Sequence, residues 1–139
     1  MMPKKVADLM SRDVVTIEHD ATVGDAMAAF VEHEHRHLPI VEAGNVVGVL
    51  SDRDVRRVEG LLALSVGSPE GSETVLAQPA RELLSGEPIC IDQSAPIDDA
   101  IDRLVEDRVG TLVVTDEAGS LVGMLSVVDV LKAARGRFS

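Results

Sequence analysis

Two short motifs place a hydroxyl three residues ahead of a carboxylate: Ser51-x-x-Asp54 and Ser126-x-x-Asp129. At a helix start this spacing lets both side chains satisfy backbone N–H groups that the first turn leaves without partners. Thr22-x-x-Asp25 has the same form, so the spacing marks a helix start before it marks a ligand. The open end of such a helix also presents N–H groups and the positive end of the helix dipole to an anion. Basic residues favour the first motif: Arg53, Arg56 and Arg57 surround it, and Arg36 and His37 precede it in an apolar run. A guanidinium fork matches the geometry of a phosphate. Arg56 and Arg57 read as solvated surface, Arg36 less so. The second motif has Gly110 and Thr111 in place of Arg36 and His37, and Val127-Val128 in place of Asp52-Arg53. A phosphate is therefore expected at the first motif rather than the second.

Other constellations carry less. His33, His35 and His37 alternate with Glu32 and Glu34, and imidazole with carboxylate suits zinc or nickel. They fall where a helix should give way to a strand, so one shared face is not expected and no metal site is assigned. Asp98, Asp99, Asp102, Glu106 and Asp107 crowd one helical segment and read as its solvated face. Cys90 is the single cysteine; with no charged neighbour in sequence to lower its pKa, it reads as a small buried hydrophobe. No nucleophile, base and oxyanion donors form a set, and there is no P-loop, so no catalytic residue is assigned and enzyme activity is not expected.

The 139 residues carry a formal net charge of −11 with 45% hydrophobic residues. That balance supports a packed interior and disfavours nucleic acid and anionic membranes as partners, so any bound anion needs a local cationic pocket. The basic start, Met1-Met2-Pro3-Lys4-Lys5, leads into no apolar stretch of signal length. No window approaches the ~18 apolar residues that span a bilayer. One cysteine excludes an internal disulfide and fits a reducing compartment; the cytoplasm is expected. Phe30 and Phe138 are the only aromatics, so a bound purine would have to lie between aliphatic walls.

The elements that position the two motifs repeat. Ala21-Thr22-Val23 corresponds to Ala95-Pro96-Ile97, and Gly44-Asn45-Val46-Val47-Gly48-Val49-Leu50-Ser51 to Gly119-Ser120-Leu121-Val122-Gly123-Met124-Leu125-Ser126. Each copy opens with a short strand (Val14 to Ile17; Pro88 to Ile91). A helix follows, with apolar residues at Val23, Ala26, Met27, Phe30 and Val31, or at Ile97, Ala100, Ile101, Leu104 and Val105, the spacing of one helical face. Thr22 and Asp25 cap the first of these helices, and Pro96 suits the first turn of the second. Two apolar runs split by a Gly-containing turn then read as a hairpin: His37 to Val41 with Val46 to Leu50, and Thr111 to Val114 with Leu121 to Leu125. A last helix begins at Ser51 or Ser126. Gly48 and Gly123 lack a Cβ and leave room for a ligand or another strand against the backbone. Each half is β-α-β-β-α and only marginally stable alone at that size, so the halves are expected to pack together about a pseudo-two-fold axis. Residues 58–79 form the connector, with Gly67-Ser68-Pro69-Glu70-Gly71-Ser72 as its flexible centre.

In this order and twice over, these features resemble the CBS domain family, whose tandem copies form a Bateman module. The resemblance rests on Asp8-Leu9-Met10, His35-Arg36-His37-Leu38-Pro39-Ile40-Val41 and Val47-Gly48-Val49-Leu50-Ser51-Asp52-Arg53-Asp54-Val55. In the second copy it rests on Glu82-Leu83-Leu84 and Val122-Gly123-Met124-Leu125-Ser126-Val127-Val128-Asp129-Val130. It implies an α/β (α+β) fold of two domains, 6–57 and 80–134. It also implies a regulatory module that binds AMP, ADP, ATP or a related adenosyl ligand, requires no cofactor and acts in trans on another protein. By that likeness Asp54 and Asp129 hold ribose hydroxyls, Ser51 and Ser126 lie near sugar or phosphate, and strand residues Thr16, Ile17 and Ile91 lie near the ligand. Arg36, His37 and Arg53 complete the expected site. The chemistry agrees, since a carboxylate accepts from both hydroxyls of a ribose in charge-assisted bonds. A ligand-free interaction module is the alternative. The last helix, Val127 to Ala134, is apolar nearly all round and calls for cover on more than one side; with the family's habit of pairing, it implies a homodimer.

Overall fold

The computed structural model describes residues 4–33, 37–64, 69–84 and 87–135. Its elements are α1 (Val6–Leu9), β1 (Ile17–Glu18), α2 (Val23–His33), β2 (His37–Glu42), β3 (Asn45–Ser51), α3 (Asp52–Leu64), α4 (Pro69–Ala77), a 3-10 turn (Ala80–Leu83), β4 (Cys90–Asp92), α5 (Ile97–Glu106), β5 (Thr111–Thr115), β6 (Leu121–Ser126) and α6 (Val127–Arg135). Both repeats contain the expected β-α-β-β-α order, in a mixed α/β chain with two three-stranded sheets.

The chain divides into two compact units, Val15–Glu87 and Met1–Val14 with Pro88–Ser139. The repeat of sequence and the unit of structure therefore differ. Each unit holds the strands and helices of one repeat together with the leading segment of the other.

In the unit Val15–Glu87 the strand order is β1-β2-β3. β1 runs parallel to β2, with Ile17 opposite Ile40, and β2 runs antiparallel to β3, with His37 opposite Ser51. The hairpin closes over Ala43 and Gly44 alone, since Glu42 already faces Asn45. Both loop residues have positive φ (51° and 83°), the twist a two-residue hairpin demands and one that glycine adopts without strain. Ala26, Phe30, Leu38, Ile40, Leu50 and Ala80 form the core, and Ile17, Val55, Leu83 and Leu84 pack against it. The helical face foreseen from the period of α2 thus buries Val23, Ala26 and Phe30 and leaves Val31 exposed. Thr22 and Asp25 form the expected reciprocal cap, Thr22 N–H donating to Asp25 Oδ2 at 2.9 Å and Asp25 N–H to Thr22 Oγ1 at 3.1 Å.

The other unit repeats the plan with β4-β5-β6, Cys90 opposite Val113 and Thr111 opposite Ser126. Its core contains Val6, Met10, Ile91, Ile97, Ala100, Leu104, Leu112, Val114 and Leu125. The leading segments dock alike in the two units. Val6 N–H donates to Ala95 O and Ile97 N–H to Lys4 O, both at 2.9 Å; Ala80 N–H donates to Ala21 O at 2.9 Å and Val23 N–H to Gln78 O at 2.8 Å. These bonds tie each segment to the start of a helix that follows a strand in the unit's own sheet.

The docked segments account for the two strand glycines. A Cβ on Gly48 would overlap the methyl carbons of Leu84, and one on Gly123 would lie 2.7 Å from Ser11 O and 2.8 Å from Met10 Sδ. Of the two occupants left open by the sequence, a chain segment is the one present.

Several expectations are corrected. The opening strands are shorter and later than Val14 to Ile17 and Pro88 to Ile91, because each is an edge strand that bonds one neighbour over two or three residues. Pro96 caps α5 from outside, at the N-cap, instead of entering its first turn. The connector is largely helical: α3 continues to Leu64 and Pro69–Ala77 forms α4. Pro69 suits a first helical turn, and α4 packs on α2 and α3, where tertiary contact outweighs the turn propensity of Gly71 and Ser72. Its approach is close, since a Cβ on Gly24 would come within 3.3 Å of Leu76 O. Gly67 and Ser68 lie outside the described residues. Helix α6 has no buried residue, and Val127, Val128 and Leu131 are exposed.

Candidate functional site

Each acid motif sits where the last strand of a sheet passes directly into a helix. Ser51 ends β3 and α3 starts at the next residue; Ser126 ends β6 and α6 starts at the next. The serine is thus fixed by the sheet ladder while the acid three residues on faces back toward it from the first helical turn.

The two junctions differ in detail. In the second, Ser126 N–H donates to Asp129 Oδ2 at 2.8 Å and Asp129 N–H donates to Ser126 Oγ at 3.1 Å, a complete reciprocal cap. Asp129 is half-buried. In the first, Ser51 N–H donates to Asp54 Oδ2 at 2.9 Å, and Ser51 Oγ turns to the same oxygen at 3.3 Å. Asp54 is only 6% exposed, the one charged residue within the core among the described residues. A carboxylate so placed needs charged and polar partners to offset its lost hydration. Arg57 supplies them: its Nη2 donates to Asp54 Oδ1 at 3.1 Å and to the Leu83 carbonyl at 2.6 Å.

Arg57 is exposed as expected, but its two bonds correct the expectation that it is merely solvated. The signal that could have found it is its place three residues after Asp54, one helical step away. Its second acceptor lies 26 residues on in the chain and had no signal. Arg56 does match the expectation: it is mostly exposed and reaches Asp52 only at 3.9 Å. Arg53 is exposed.

The other expected site residues fall as follows. His37 is half-buried at the start of β2, directly across from Ser51, so the sheet brings it beside the first motif. Ile17 is half-buried in β1 and packs on the core, and Thr16 just before it is exposed. Ile91 is buried within the core of its unit. Arg36 lies outside the described residues, as does His35. Among the described residues no cluster of His, Cys, Asp and Glu is arranged to hold a metal ion. The acids of α5 are exposed as expected, with Asp107 accepting from Arg103 Nε at 3.1 Å.

Cys90 is another correction. It is exposed on β4, because successive strand side chains point to opposite faces and its neighbour Ile91 takes the core side. Partial burial around the sulfur still raises its pKa, and the nearby Arg103 charge opposes that rise.

Residues 6–60 and 80–136 each match the CBS domain family. The chain belongs to that family. A CBS domain-containing protein of Dictyostelium discoideum is 28% identical over 127 residues, covering 91% of this chain and 88% of that protein. Inosine-5'-monophosphate dehydrogenase of Methanocaldococcus jannaschii is 23% identical over 130 residues, but the chain spans only 23% of its length. Among solved structures, CBSX2 in complex with AMP superposes with a TM-score of 0.77 at 25% identity, covering 97% of this chain and 98% of that one. The CBS domain pair of protein MJ0100, in complex with 5'-methylthioadenosine and S-adenosyl-L-methionine, gives 0.76 at 18% identity and covers 98% and 99%. This last likeness is one of fold. No helix among the described residues is long and apolar enough to cross a membrane.

Proposed function

We propose that the chain is a regulatory CBS pair that binds an adenosyl ligand (AMP, ADP, ATP or a relative) and passes its occupancy to a partner protein in trans. In this reading it is not an enzyme and works in the cytoplasm. The observation that carries it is the strand-to-helix junction built twice, each time with a serine and an acid at the open end of a helix. Such an end offers amides to a phosphate and a carboxylate to a ribose diol. The AMP carried by CBSX2, similar over nearly all of both chains, supports that class of ligand. Asp54, Ser51, Arg53 and His37 make the stronger site, joined by Arg36, Thr16 and Ile17; Asp129, Ser126 and Ile91 make the weaker.

Two measurements test this. The chain has no Trp and no Tyr, so a purine retained by the native protein, then released by heat, stands out in the ultraviolet spectrum. Calorimetric titration with AMP and ATP should show Asp54→Ala losing about ten-fold or more in affinity, the effect of about 1.5–3 kcal/mol of charge-assisted hydrogen bonding. Asp129→Ala should lose less. Equal affinities for wild type and both variants would reduce the motifs to helix caps.

A ligand-free interaction module is favoured by one observation, the pairing of both Asp54 carboxylate oxygens within the chain, by Ser51 and Arg57. Absence of any purine signal and of any binding heat would select it. In either case we propose a homodimer in which a second copy covers the exposed Val127, Val128 and Leu131 of α6. Sedimentation showing only monomer at about tens of micromolar, the range of a weak interface, would overturn that.

A further inference from the structure

The first acid motif contains a bond that serves neither its helix cap nor its sheet. One nitrogen of Arg57 spans the Asp54 carboxylate and the carbonyl of Leu83, the last residue of the 3-10 turn. That turn begins the second repeat in sequence yet packs in the unit of the first. It is seated there by Ala80 N–H on Ala21 O, and its next residue, Leu84, lies over Gly48 of β3. At the second junction the residue in the matching place is Lys132, and among the described residues it forms no bond to Asp129.

A carboxylate has about four lone-pair sites. Ser51 N–H and Arg57 hold one on each oxygen, and the Ser51 hydroxyl takes a third through the longest of the contacts, at 3.3 Å. A ribose diol bringing two donors therefore has one open site and one that it gains by displacing the hydroxyl, while Arg57 stays in place. Arg57 then both aims the carboxylate and feels any change in its charge. The second N–H of the same nitrogen carries that change to Leu83.

Resting on the nucleotide reading above, we propose that Arg57 is a positioning residue for ribose at Asp54 and couples occupancy of that acid to the segment 80–84. The first site then differs from the second in kind, because binding there is felt by a segment of the other repeat.

The test combines AMP titration with amide hydrogen exchange on the full chain, comparing wild type, Asp54→Ala, Arg57→Met and Arg56→Met. Methionine keeps an unbranched stem and removes the donors; Arg57→Gln, whose amide is too short for the bridge, replaces it should Arg57→Met not fold. In the wild type, AMP should slow exchange at Ala80, Glu82 and Leu84. Arg57→Met should bind AMP about ten-fold more weakly, the loss expected for a charge-assisted bond. At saturating AMP it should show no added protection at 80–84, while Arg56→Met behaves as wild type. Wild-type affinity in Arg57→Met, or protection of 80–84 that survives in it at saturation, overturns the coupling and leaves the nucleotide reading standing. No protection in wild type that binds AMP through Asp54 does the same. Failure of wild type to bind either AMP or ATP takes down the nucleotide reading and this inference together; unchanged binding by Asp54→Ala overturns this inference alone.

Discussion

Replacing Gly123 with alanine isolates the docking of the amino-terminal segment on β6. The new Cβ would meet Ser11 O at 2.7 Å and Met10 Sδ at 2.8 Å. The sulfur can move, since methionine has three rotatable bonds. The carbonyl cannot move freely, because it accepts from Met124 N–H at 3.0 Å while Ser11 N–H donates to Met124 O at 2.8 Å. A shift large enough to admit a methyl group strains or breaks that reciprocal pair, each bond worth about 1 kcal/mol net. Overpacking a tight site adds about 1–3 kcal/mol. In an unstrained strand the same substitution gains about 0.4–1 kcal/mol by restricting the unfolded chain. The sum is a loss of about 3 kcal/mol, a large share of the roughly 5–15 kcal/mol that holds a domain together. At roughly 3–4 °C per kcal/mol for a chain of this size, thermal unfolding followed by far-ultraviolet circular dichroism should show the midpoint falling by about 10 °C. Gly48→Ala is the internal comparison. Its obstruction is the tip of Leu84 alone, so the loss should be smaller. Gly48→Ala combined with Leu84→Ala should be more stable than the two single effects added, as a shared contact requires. A midpoint for Gly123→Ala within about 2 °C of wild type would refute the reasoning, for it would mean that nothing rigid lies over β6 at that position.

Two further outcomes follow from single residues. Gly60 lies exposed within α3, and a Cβ there would meet nothing within 4 Å, so Gly60→Ala should stabilise the chain by about 0.5–1 kcal/mol and raise the same midpoint; a lower midpoint would place a contact on that face. Cys90 is exposed but its thiol pKa is raised by partial burial against the opposing Arg103 charge, so at a given pH less of it is thiolate and alkylation by iodoacetamide should be slower than in an unstructured cysteine peptide; Arg103→Gln should shift the pH–rate curve higher still, and an unmoved curve would separate the two residues.

Local order was legible in the sequence because its causes are local. The apolar runs His37 to Val41 and Val46 to Leu50, the glycine between them and the period of Val23, Ala26 and Phe30 each act within a few residues. They yielded the hairpins, the helix faces, the Thr22–Asp25 cap and the duplication itself. The two acid junctions were equally visible, since a serine at a helix start and an acid three residues later meet through the turn that both belong to.

Tertiary structure decided what depends on partners far along the chain. Nothing in residues 80–84 indicates that they pack in the unit holding β1, β2 and β3, or that Leu84 is what Gly48 makes room for. Arg56 and Arg57 stand side by side in one run; helical spacing sets Arg57 beside Asp54, and only the docking of the 3-10 turn adds the Leu83 carbonyl, while Arg56 reaches no more than Asp52. The connector read as flexible from its Gly, Ser and Pro content, yet becomes α4 where it meets α2 and α3, because burial against neighbours outweighs a weak intrinsic preference. Periodicity reports which face of an element turns inward. It carries no record of which distant segment that face, once formed, will meet.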